Sequence, residues 1–533
     1  MSQSESIITD SAHPPQHAAN RHSFPRVSAV RLALLSALLL WLSHSPAKLF
    51  PVAYIALAPL LISLTRARKF WQAFGRAYLC GLVFMGMTCY WIGLTIVGYT
   101  GSQIGWLAWL VLMPILALYY GLWGSVAWRL SRNLTDGGRI LAYAATWVVV
   151  EWLRTLGSLS MPWAQLSYSQ YLFTPALQWI DVTGAYGLSF LIVLMNGGVA
   201  YWVLHRGEEQ STRWVWLAGT ATLLVCLTGT MKMLLPHAPQ VLKVAITQGN
   251  FPMKGGSDLL PSVFETVQRM TRAVKPSDKV DLVVWSESTL PLVSYPRFAS
   301  QMTAIAKEIR TPILSGAQTR NDKTGAENNS ALLFGIDGTT SQYDKQHLVP
   351  FGEYIPYRKS WPDSIAGKSG FDFFPTDLTP GTASQTLSYS KDGMSTPVTF
   401  GVLICYEGTY PPLATASALQ GANILFSLSN DAWSQSHSQR EQHLASIVMR
   451  AAETRRDIVR STNNGISCVV DAQGRIAAQS PTDTETTLTY NAEIRSGLTP
   501  YVRFGDWFVA LCALVALLLF RKGEKLRKAR TKT

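Results

Sequence analysis

Residues 397–411 read PVTFGVLICYEGTYP, and this segment decides how the chain is interpreted. The run from Val398 to Ile404 is almost wholly apolar, which is typical of a strand buried on both faces of a layered α/β domain. Cys405 follows where the apolar run stops, and side chains at such strand ends commonly carry the chemistry of these folds. A buried cysteine is more often a core residue than a nucleophile, so its role depends on the residues that accompany it.

The same pattern extends over residues 240–500, where short apolar runs alternate with amphipathic segments. The runs predict strands at 241–248, 281–287, 312–318, 330–337, 397–407, 422–430 and 465–474. Helical spacing occurs at 258–275, 298–310, 411–420 and 437–456. Strands alternating with helices in this way predict an α/β domain with buried sheets.

Two ionisable residues of this domain occupy positions comparable to that of Cys405. Glu287 ends the run VVWSE, where a carboxylate that served only packing would be unexpected. Lys345 lies in YDKQHLVPFGEYIP (343–356), a stretch rich in polar residues, Gly and Pro, as a shaped loop is. A glutamate can take the proton of a thiol, and a lysine can stabilise the oxyanion of a tetrahedral intermediate. Glu287, Lys345 and Cys405, called the triad below, therefore suit acyl transfer through a covalent thioester.

The rest of the chain is strongly apolar. Hydrophobic residues make up 48% of the sequence and charged residues only 15%, with 18 tryptophans. Runs that approach the roughly 20 residues of a membrane-spanning helix occur at 27–43, 49–65, 77–97, 104–127, 140–156, 186–204, 214–235 and 503–520. We predict a membrane domain over 27–236 with seven spans, and a C-terminal span at 503–520. Pro46 and Pro51 separate the first two short spans, so a re-entrant hairpin is an alternative there.

Basic residues are concentrated in alternate loops between these spans. They precede the first span, lie between the second and third, the fourth and fifth, and the sixth and seventh, and follow the last, whereas loop 98–103 has no charge. The positive-inside rule then places both termini in the cytoplasm, as a disordered tail at 1–26 and a basic tail at 521–533. The domain at 240–500 is expected on the opposite side. Because much of the net charge of +13 flanks apolar runs, we do not expect nucleic-acid binding.

Cysteine usage argues against a metal or a disulfide framework. Four of the six cysteines lie in apolar spans, where cysteine acts as a small hydrophobe. The sequence has neither a CxxC motif nor a Cys/His spacing typical of metal sites, so we expect no metal and no cofactor. A Cys405–Cys468 disulfide is an alternative that would abolish the thioester chemistry.

Two ionisable residues near the outer end of the predicted fifth span need an explanation, because charge at that depth is costly. Glu151 and Arg154 belong to the segment EWLR (151–154). One interpretation is a local ion pair that holds the helix end. The other is that Arg154 contacts a lipid headgroup and holds its phosphate at the outer interface.

Together these motifs resemble the nitrilase, or carbon–nitrogen hydrolase, superfamily, and in particular its membrane-bound apolipoprotein N-acyltransferase family. The motifs are WSESTLP (285–291), YDKQHLVPFGEYIP (343–356), GVLICYEGTYP (401–411), SNDAW (429–433) and RSTNNGIS (460–467), with EWLR (151–154), PW (162–163) and GAYGLSFL (184–191) in the membrane half. The resemblance extends from about residue 30 to 520. It implies a multi-span α-helical membrane domain joined to an α/β nitrilase-like domain, an αββα sandwich.

The resemblance also implies roles for individual residues. Glu287 would be the general base, Lys345 the oxyanion stabiliser and Cys405 the nucleophile. The supporting residues would be Glu353, Tyr406, Glu407 and Trp433. Structural alternatives stay open for these four, as core aromatics or as a solvated strand end. His347 and His443 are expected to be structural hydrogen-bond donors.

The implied reaction has two half-steps and two lipid-anchored substrates. A phospholipid would donate its sn-1 acyl chain to Cys405, and the α-amino group of the diacylglyceryl-cysteine of an apolipoprotein would accept it. The expected setting is the bacterial inner membrane, with the catalytic domain on the periplasmic side and the protein a monomer. A membrane-tethered amidase or thioesterase, which passes the acyl group to water, is an alternative. A catalytically silent lipid-binding or transport protein is another.

Two segments depart from the family pattern. After SNDAW the family usually continues with Phe-Gly and then Gly-Pro, whereas this chain reads SQSHSQREQH (434–443). The segment QGNFPMKGGSDLL (248–260) lacks the usual Lys-Trp pair. The resemblance therefore does not extend to loop shape and acceptor handling in these segments, and neither departure touches the triad.

Overall fold

The computed structural model describes residues 27–531, apart from 159, 209, 235–239, 253–259, 275, 291–294, 322, 359–376, 383–384, 392 and 435. The predicted tail at 1–26 therefore lies outside the described residues. So does the middle of the segment 248–260 that departs from the family pattern.

The N-terminal half consists of helices that pack side by side. They are α1 (Ala29–Ser43), α2 (Ala53–Ala56), α3 (Ala58–Thr65), α4 (Phe70–Thr88), α5 (Trp91–Thr100), α6 (Ile104–Ser131), α7 (Asp136–Leu153), α8 (Thr174–Leu177), α9 (Ile180–Thr183), α10 (Ala185–Leu204) and α11 (Arg213–Lys232). Their outer faces carry exposed leucines, such as Leu223, Leu224 and Leu227 of α11, which are 53–57% exposed. Contiguous apolar surface of this kind suits a lipid environment.

The helices correspond only in part to the predicted spans. By length and composition, α6, α10 and α11 are able to cross a membrane, with a fourth crossing if α4 and α5 count as one span. The predicted span 77–97 is broken, because α4 and α5 meet at a bend of 44°. The first two predicted spans correspond to shorter apolar helices at Ala29–Ser43 and Phe50–Thr65. The number of eight crossings stays a prediction.

The chain returns to the helical half at its C-terminus. Helix α16 (Pro500–Phe504) leads into α17 (Trp507–Arg530), which includes most of the predicted span 503–520. Val509 and Cys512 of α17 pack against Ala145 and Val148 of α7. The helix continues to Arg530, so most of the predicted basic tail is its last part.

The C-terminal half contains two six-stranded sheets. Their strands are β1 (Val241–Gln248), β2 (Leu282–Val284), β3 (Ile313–Arg320), β4 (Glu327–Phe334), β5 (Thr340–Asp344), β6 (Leu387–Tyr389), β7 (Val398–Ile404), β8 (Ile424–Ser429), β9 (Ile458–Thr462), β10 (Cys468–Val470), β11 (Ile476–Gln479) and β12 (Thr486–Glu493). The strand orders are β12-β1-β2-β3-β4-β5 and β11-β10-β9-β8-β7-β6. Each sheet has a parallel centre, β1-β2-β3 and β7-β8-β9, with antiparallel strands outside it.

Apolar side chains from both sheets form a common core between them. Helices α12 (Leu260–Arg272) and α13 (Tyr295–Ile309) cover the outer face of the first sheet. Helices α14 (Pro411–Leu419) and α15 (His437–Thr454) cover the second sheet and share a core with α1, α4 and α10 of the helical half. The predicted αββα sandwich is confirmed.

Candidate active site

The triad residues lie at three strand ends that face one another between the sheets. Glu287 lies three residues beyond β2, Lys345 follows β5 directly, and Cys405 follows β7 directly. The Lys345 Nζ lies 3.5 Å from Glu287 Oε1. Across the sheets, the backbone N–H of Asn430, just after β8, donates to Glu287 Oε2 at 2.8 Å. Strand ends that are remote in sequence therefore meet in one buried site.

Lys345 is held between two carboxylates. Its Nζ lies 2.8 Å from Glu353 Oε1, closer than to Glu287. The Lys345 side chain is 1% exposed, and the carboxylates 8% and 11%. The second Glu353 oxygen accepts the backbone N–H of Val349 at 2.8 Å. Glu353 thus anchors the lysine to its own loop, while Glu287 faces the other sheet.

Asn329 of β4 joins the same cluster and was missed by the sequence analysis. Its Nδ2 donates to Glu287 Oε1 and to Glu353 Oε1, each at 2.8 Å. The amide nitrogen must face the carboxylates, because the amide oxygen is an acceptor and would repel them. Asn329 therefore donates a hydrogen bond to each of two neighbouring carboxylates and adds to the stabilisation that Lys345 provides.

Burial and the neighbouring charges together set the resting protonation of the triad. Burial, followed by the charge of Glu287, raises the pKa of the Cys405 thiol, although Lys345 opposes this. Burial also raises the pKa of Glu287, with Lys345 opposing it. For Lys345, burial lowers the pKa, but Glu353 and Glu287 outweigh it and the net pKa is raised. The resting site thus holds a neutral thiol beside a charged lysine, with a carboxyl of raised pKa suited to accept a proton.

Cys405 stands on a sharp turn. Its backbone φ is +51°, in the left-handed region that non-glycine residues rarely adopt. The Glu407 carboxylate secures the turn from inside by accepting the N–H of Ile404 at 2.7 Å and the N–H of Gln346 at 2.7 Å. The Tyr343 hydroxyl donates to the same carboxylate at 2.9 Å. Glu407 is fully buried, so the alternative that it is a solvated strand end is wrong.

Tyr406, beside the nucleophile, faces the helical half. Its hydroxyl donates to the Ser160 carbonyl at 2.9 Å and accepts from the Tyr410 hydroxyl at 2.9 Å. The Tyr410 hydroxyl also lies 2.6 Å from Ser160 Oγ, which closes a ring of hydrogen bonds. Trp433 packs against the same aromatic group, together with Trp91. Tyr410, Ser160 and Trp91 were not predicted, because their importance depends on contacts between distant segments.

The two histidines near the site each make a hydrogen-bonding contact with the turn that carries Cys405. The His347 backbone N–H donates to the Glu407 carboxylate at 3.2 Å. The centroid of the His347 ring lies 3.8 Å from the centroid of the Tyr410 ring. Burial and the charge of Lys345 lower the pKa of His347 to about 4, so its ring is neutral at pH 7. The His443 Nε2 lies 2.9 Å from the Cys405 carbonyl oxygen.

Comparison with known proteins covers both halves of the chain. Residues 36–198 match the family model of the apolipoprotein N-acyltransferase N-terminal domain, and residues 243–499 match that of the carbon-nitrogen hydrolases. The apolipoprotein N-acyltransferase of Geobacter metallireducens is 32% identical over 515 residues, covering 92% of this chain and 95% of that protein. The chain belongs to the apolipoprotein N-acyltransferase family.

Other members of the apolipoprotein N-acyltransferase family align over a similar length. That of Nitrosomonas europaea is 31% identical, covering 92% of this chain and 96% of that protein. Among solved structures, a Saccharomyces cerevisiae member of branch 10 of the nitrilase superfamily aligns with a TM-score of 0.37 at 19% identity, covering 48% of this chain and 91% of that one. Family membership and the apolar helices support a membrane-associated enzyme of lipoprotein N-acylation.

Arg154 lies at the C-terminal end of α7 in a buried position, with 3% exposure. Its Nη1 contacts the Met85 sulfur at 3.5 Å, and its Nε has no hydrogen-bond partner among the described residues. Glu151 instead accepts the backbone N–H of Leu166 at 2.7 Å. Among the described residues no salt bridge within 4 Å joins Glu151 to Arg154, and both the ion-pair interpretation and the lipid contact stay predictions. Both line one cavity with Tyr120 and other aromatic residues of α6 and α7.

Proposed function

We propose that this chain transfers a fatty acyl group from the sn-1 position of a phospholipid, through a thioester on Cys405, to the α-amino group of the diacylglyceryl-cysteine of an apolipoprotein. The observation that carries the proposal is the buried cluster in which Lys345 lies 3.5 Å from Glu287, beside the turn that presents Cys405. Family membership supports the apolipoprotein acceptor and transfer to its amino group, and the phospholipid donor is part of the proposal.

In the first half-reaction, Glu287 takes the Sγ proton while the sulfur attacks the ester carbonyl carbon of the phospholipid. The oxyanion of the tetrahedral intermediate is stabilised by Lys345 Nζ and the backbone N–H of Tyr406. Collapse of the intermediate breaks the carbon–oxygen ester bond. The departing lysophospholipid oxygen receives the proton from Glu287, and the thioester remains.

In the second half-reaction, the lipoprotein amine attacks the thioester carbonyl. A free α-amino group has a pKa of about 8, so it needs only modest help to expose its lone pair. Glu287 accepts the amine proton, the carbon–sulfur bond breaks, and the sulfur regains a proton from Glu287. Glu353 and Asn329 hold Lys345 and Glu287 in place through both steps.

The supporting aromatic residues connect this chemistry to the membrane. Tyr406 and Trp433 lie in a cluster with Trp91 and Trp163 of the helical half. An apolar surface beside the nucleophile would receive an acyl chain and keep water away from the thioester. Exclusion of water would favour aminolysis over hydrolysis, and the lifetime of the thioester without an amine acceptor separates the acyltransferase from a membrane-tethered amidase.

Mass spectrometry of a diacylated lipopeptide incubated with enzyme and phospholipid tests the proposal. We expect a mass gain of one acyl chain, lost in Cys405→Ala and retained in the control Cys468→Ala, which removes a buried thiol of β10. No mass gain, or a gain that survives Cys405→Ala, would refute it. A thioester that decays to free fatty acid at the same rate with and without the lipopeptide would instead indicate the amidase or thioesterase.

Arg154 is proposed to hold the phosphate of a lipid. Arg154 is a buried guanidinium that lines a cavity and whose Nε has no partner among the residues that the structure describes, so it is suited to receive an anion. We expect Arg154→Gln to raise the KM for phospholipid with little change in kcat, and Arg154→Lys to lie between Gln and wild type. Equal KM values for all three proteins would reject this role.

The proposed setting is the bacterial inner membrane, with the domain at 240–500 in the periplasm, both termini in the cytoplasm and a monomeric chain. The alternation of basic loops supports this orientation. A reporter enzyme that is active only outside the cytoplasm should be inactive when fused after Thr533 and active when inserted after the exposed Lys323. The opposite pattern would reverse the orientation. Light scattering of the detergent-solubilised protein tests the monomer.

A further inference from the structure

His443 makes a contact with the nucleophile that the proposed mechanism does not use. Its Nε2 lies 2.9 Å from the backbone carbonyl oxygen of Cys405. The contact joins α15 to the turn after β7, 38 residues apart in sequence. A β-carbon placed on Gly408 would lie 3.7 Å from the same Nε2, so the ring fits closely over the turn.

The surroundings of the ring determine which nitrogen carries the proton. His443 Nδ1 lies 3.1 Å from Arg460 Nη2, and a guanidinium only donates hydrogen bonds. The Nδ1 must therefore accept, which leaves the hydrogen on Nε2, where it points at the Cys405 carbonyl. Arg460 is itself fixed by Asp431 at 3.0 Å, and both side chains are fully buried. Asp431 Oδ1 lies 3.6 Å from Nδ1, farther than Arg460, and it already accepts the Ser429 hydroxyl at 2.9 Å.

The Cys405 carbonyl, which His443 contacts, belongs to the same peptide unit as the Tyr406 N–H. A peptide unit is planar and trans, so its C=O and N–H point in opposite directions. A hydrogen bond that fixes the Cys405 carbonyl therefore also fixes the direction of the Tyr406 N–H. A hydrogen bond at this position is important because the Cys405 backbone is left-handed, with φ +51°. A non-glycine residue keeps this conformation only when its surroundings stabilise it.

We infer that His443 is a positioning residue: by donating to the Cys405 carbonyl, it aims the Tyr406 N–H at the oxyanion and keeps the nucleophile in its left-handed conformation. The inference rests on the proposed role of Cys405 as nucleophile. The imidazole itself takes no part in proton transfer. Arg460 and Asp431 act one step further away, by fixing the tautomer.

Substitutions at position 443 separate positioning from packing. His443→Phe keeps the ring but removes the donor. His443→Gln offers an amide N–H near the position of Nε2, and His443→Asn carries the same amide one methylene shorter. Each full-length protein is purified in detergent, and single-turnover formation of the thioester is followed with a phospholipid that has a labelled sn-1 chain.

We expect His443→Phe and His443→Asn to slow thioester formation about 10- to 100-fold, a part of the loss caused by removing an oxyanion donor outright. The KM for phospholipid should be unchanged, and His443→Gln should stay within about threefold of wild type. A His443→Phe enzyme with the wild-type rate would overturn the inference. So would equal rates for the Gln and Asn variants, a comparison that decides the matter even if the Phe variant fails to fold.

The outcome is separable from that of the proposed function. If the wild-type chain forms no thioester with the labelled phospholipid, the proposed function has failed. The rate of Cys405 alkylation by a maleimide then replaces the acylation readout. We expect the Gln variant to be alkylated at the wild-type rate and the Asn variant more slowly, and equal rates for the two would overturn the inference.

Discussion

Replacing Lys345 by methionine would leave two buried carboxylates facing each other without a cation. The lysine charge lies 2.8 Å from Glu353 and 3.5 Å from Glu287. At an effective dielectric constant of about 20, these distances correspond to about 6 and about 5 kcal/mol of attraction. Much of this offsets the cost of burying the charges, so we expect a net loss of about 3–5 kcal/mol in the free energy of unfolding.

The sign of the pH dependence follows from Glu287. Burial, opposed by Lys345, raises the pKa of its carboxyl in the folded protein. Without the lysine this pKa rises further, because the opposing charge is gone. A carboxyl with a raised folded pKa takes up a proton as pH falls, and the protonated form no longer repels Glu353. The cost of Lys345→Met is therefore expected to be larger at pH 8 than at pH 5.

Equilibrium unfolding by urea in mild detergent at both pH values measures this cost. A Cys405→Ala background removes any contribution from acylation. The matched control is Lys391→Met, because Lys391 lies 2.9 Å from Asp281 in a partly exposed pair that is worth about 0–1 kcal/mol. Adding Glu353→Gln to Lys345→Met should recover part of the stability. Equal losses for the two methionine variants, or a loss for Lys345→Met that does not change with pH, would refute the reasoning.

Two further predictions concern groups that hold the triad. A β-carbon on Gly316 would lie 2.5 Å from the Cα of Glu287, so Gly316→Ala should displace the base and slow acyl transfer about 100-fold. Gly219→Ala, with no atom within 4 Å, is the control, and equal rates for the two variants would contradict the prediction. Burial raises the pKa of Glu407 to about 7. Because protonation weakens the hydrogen bonds that Glu407 accepts from backbone N–H groups, the wild-type acylation rate should fall as pH drops through about 7. The Glu407→Gln variant should be acylated more slowly at every pH, and its rate should not show this decline. If the variant shows the same decline near pH 7, another group is titrating.

The sequence was most informative where an apolar run ends abruptly. Glu287 and Cys405 were predicted because a buried strand leaves no ordinary reason for such residues at its end. Asn329 gave no such signal, because the polar residues that begin β4 read like the exposed end of a strand. Its role arises from the pairing of β4 with β3 and β5, which brings it between Glu287 and Glu353. Long-range register of this kind is not encoded in local periodicity.

The bend between α4 and α5 also has a cause that is distant in sequence. Hydropathy predicted one span at 77–97, because the residues around the break are as apolar as their neighbours. The structure places Gln442 of α15 at the break, where its Nε2 donates to the Thr88 carbonyl at 2.9 Å and its Oε1 accepts from Trp91 Nε1 at 3.2 Å. Gln442 thus gives the Thr88 carbonyl at the break a hydrogen-bond partner and also accepts from the Trp91 indole, which stabilises the interruption of the helix.

Gln442 and His443 are consecutive on α15, and they connect the two halves of the protein. Neighbouring side chains on a helix point about 100° apart, so one turn of α15 reaches both the α4–α5 break and the Cys405 carbonyl. From Ser438 to Thr454 every residue of α15 is buried, between the second sheet and the helical half. The helix is therefore not a surface layer of the catalytic domain. It packs against the helical half as well as the second sheet, so movement of the helical half would be transmitted through His443 to the peptide plane beside the nucleophile.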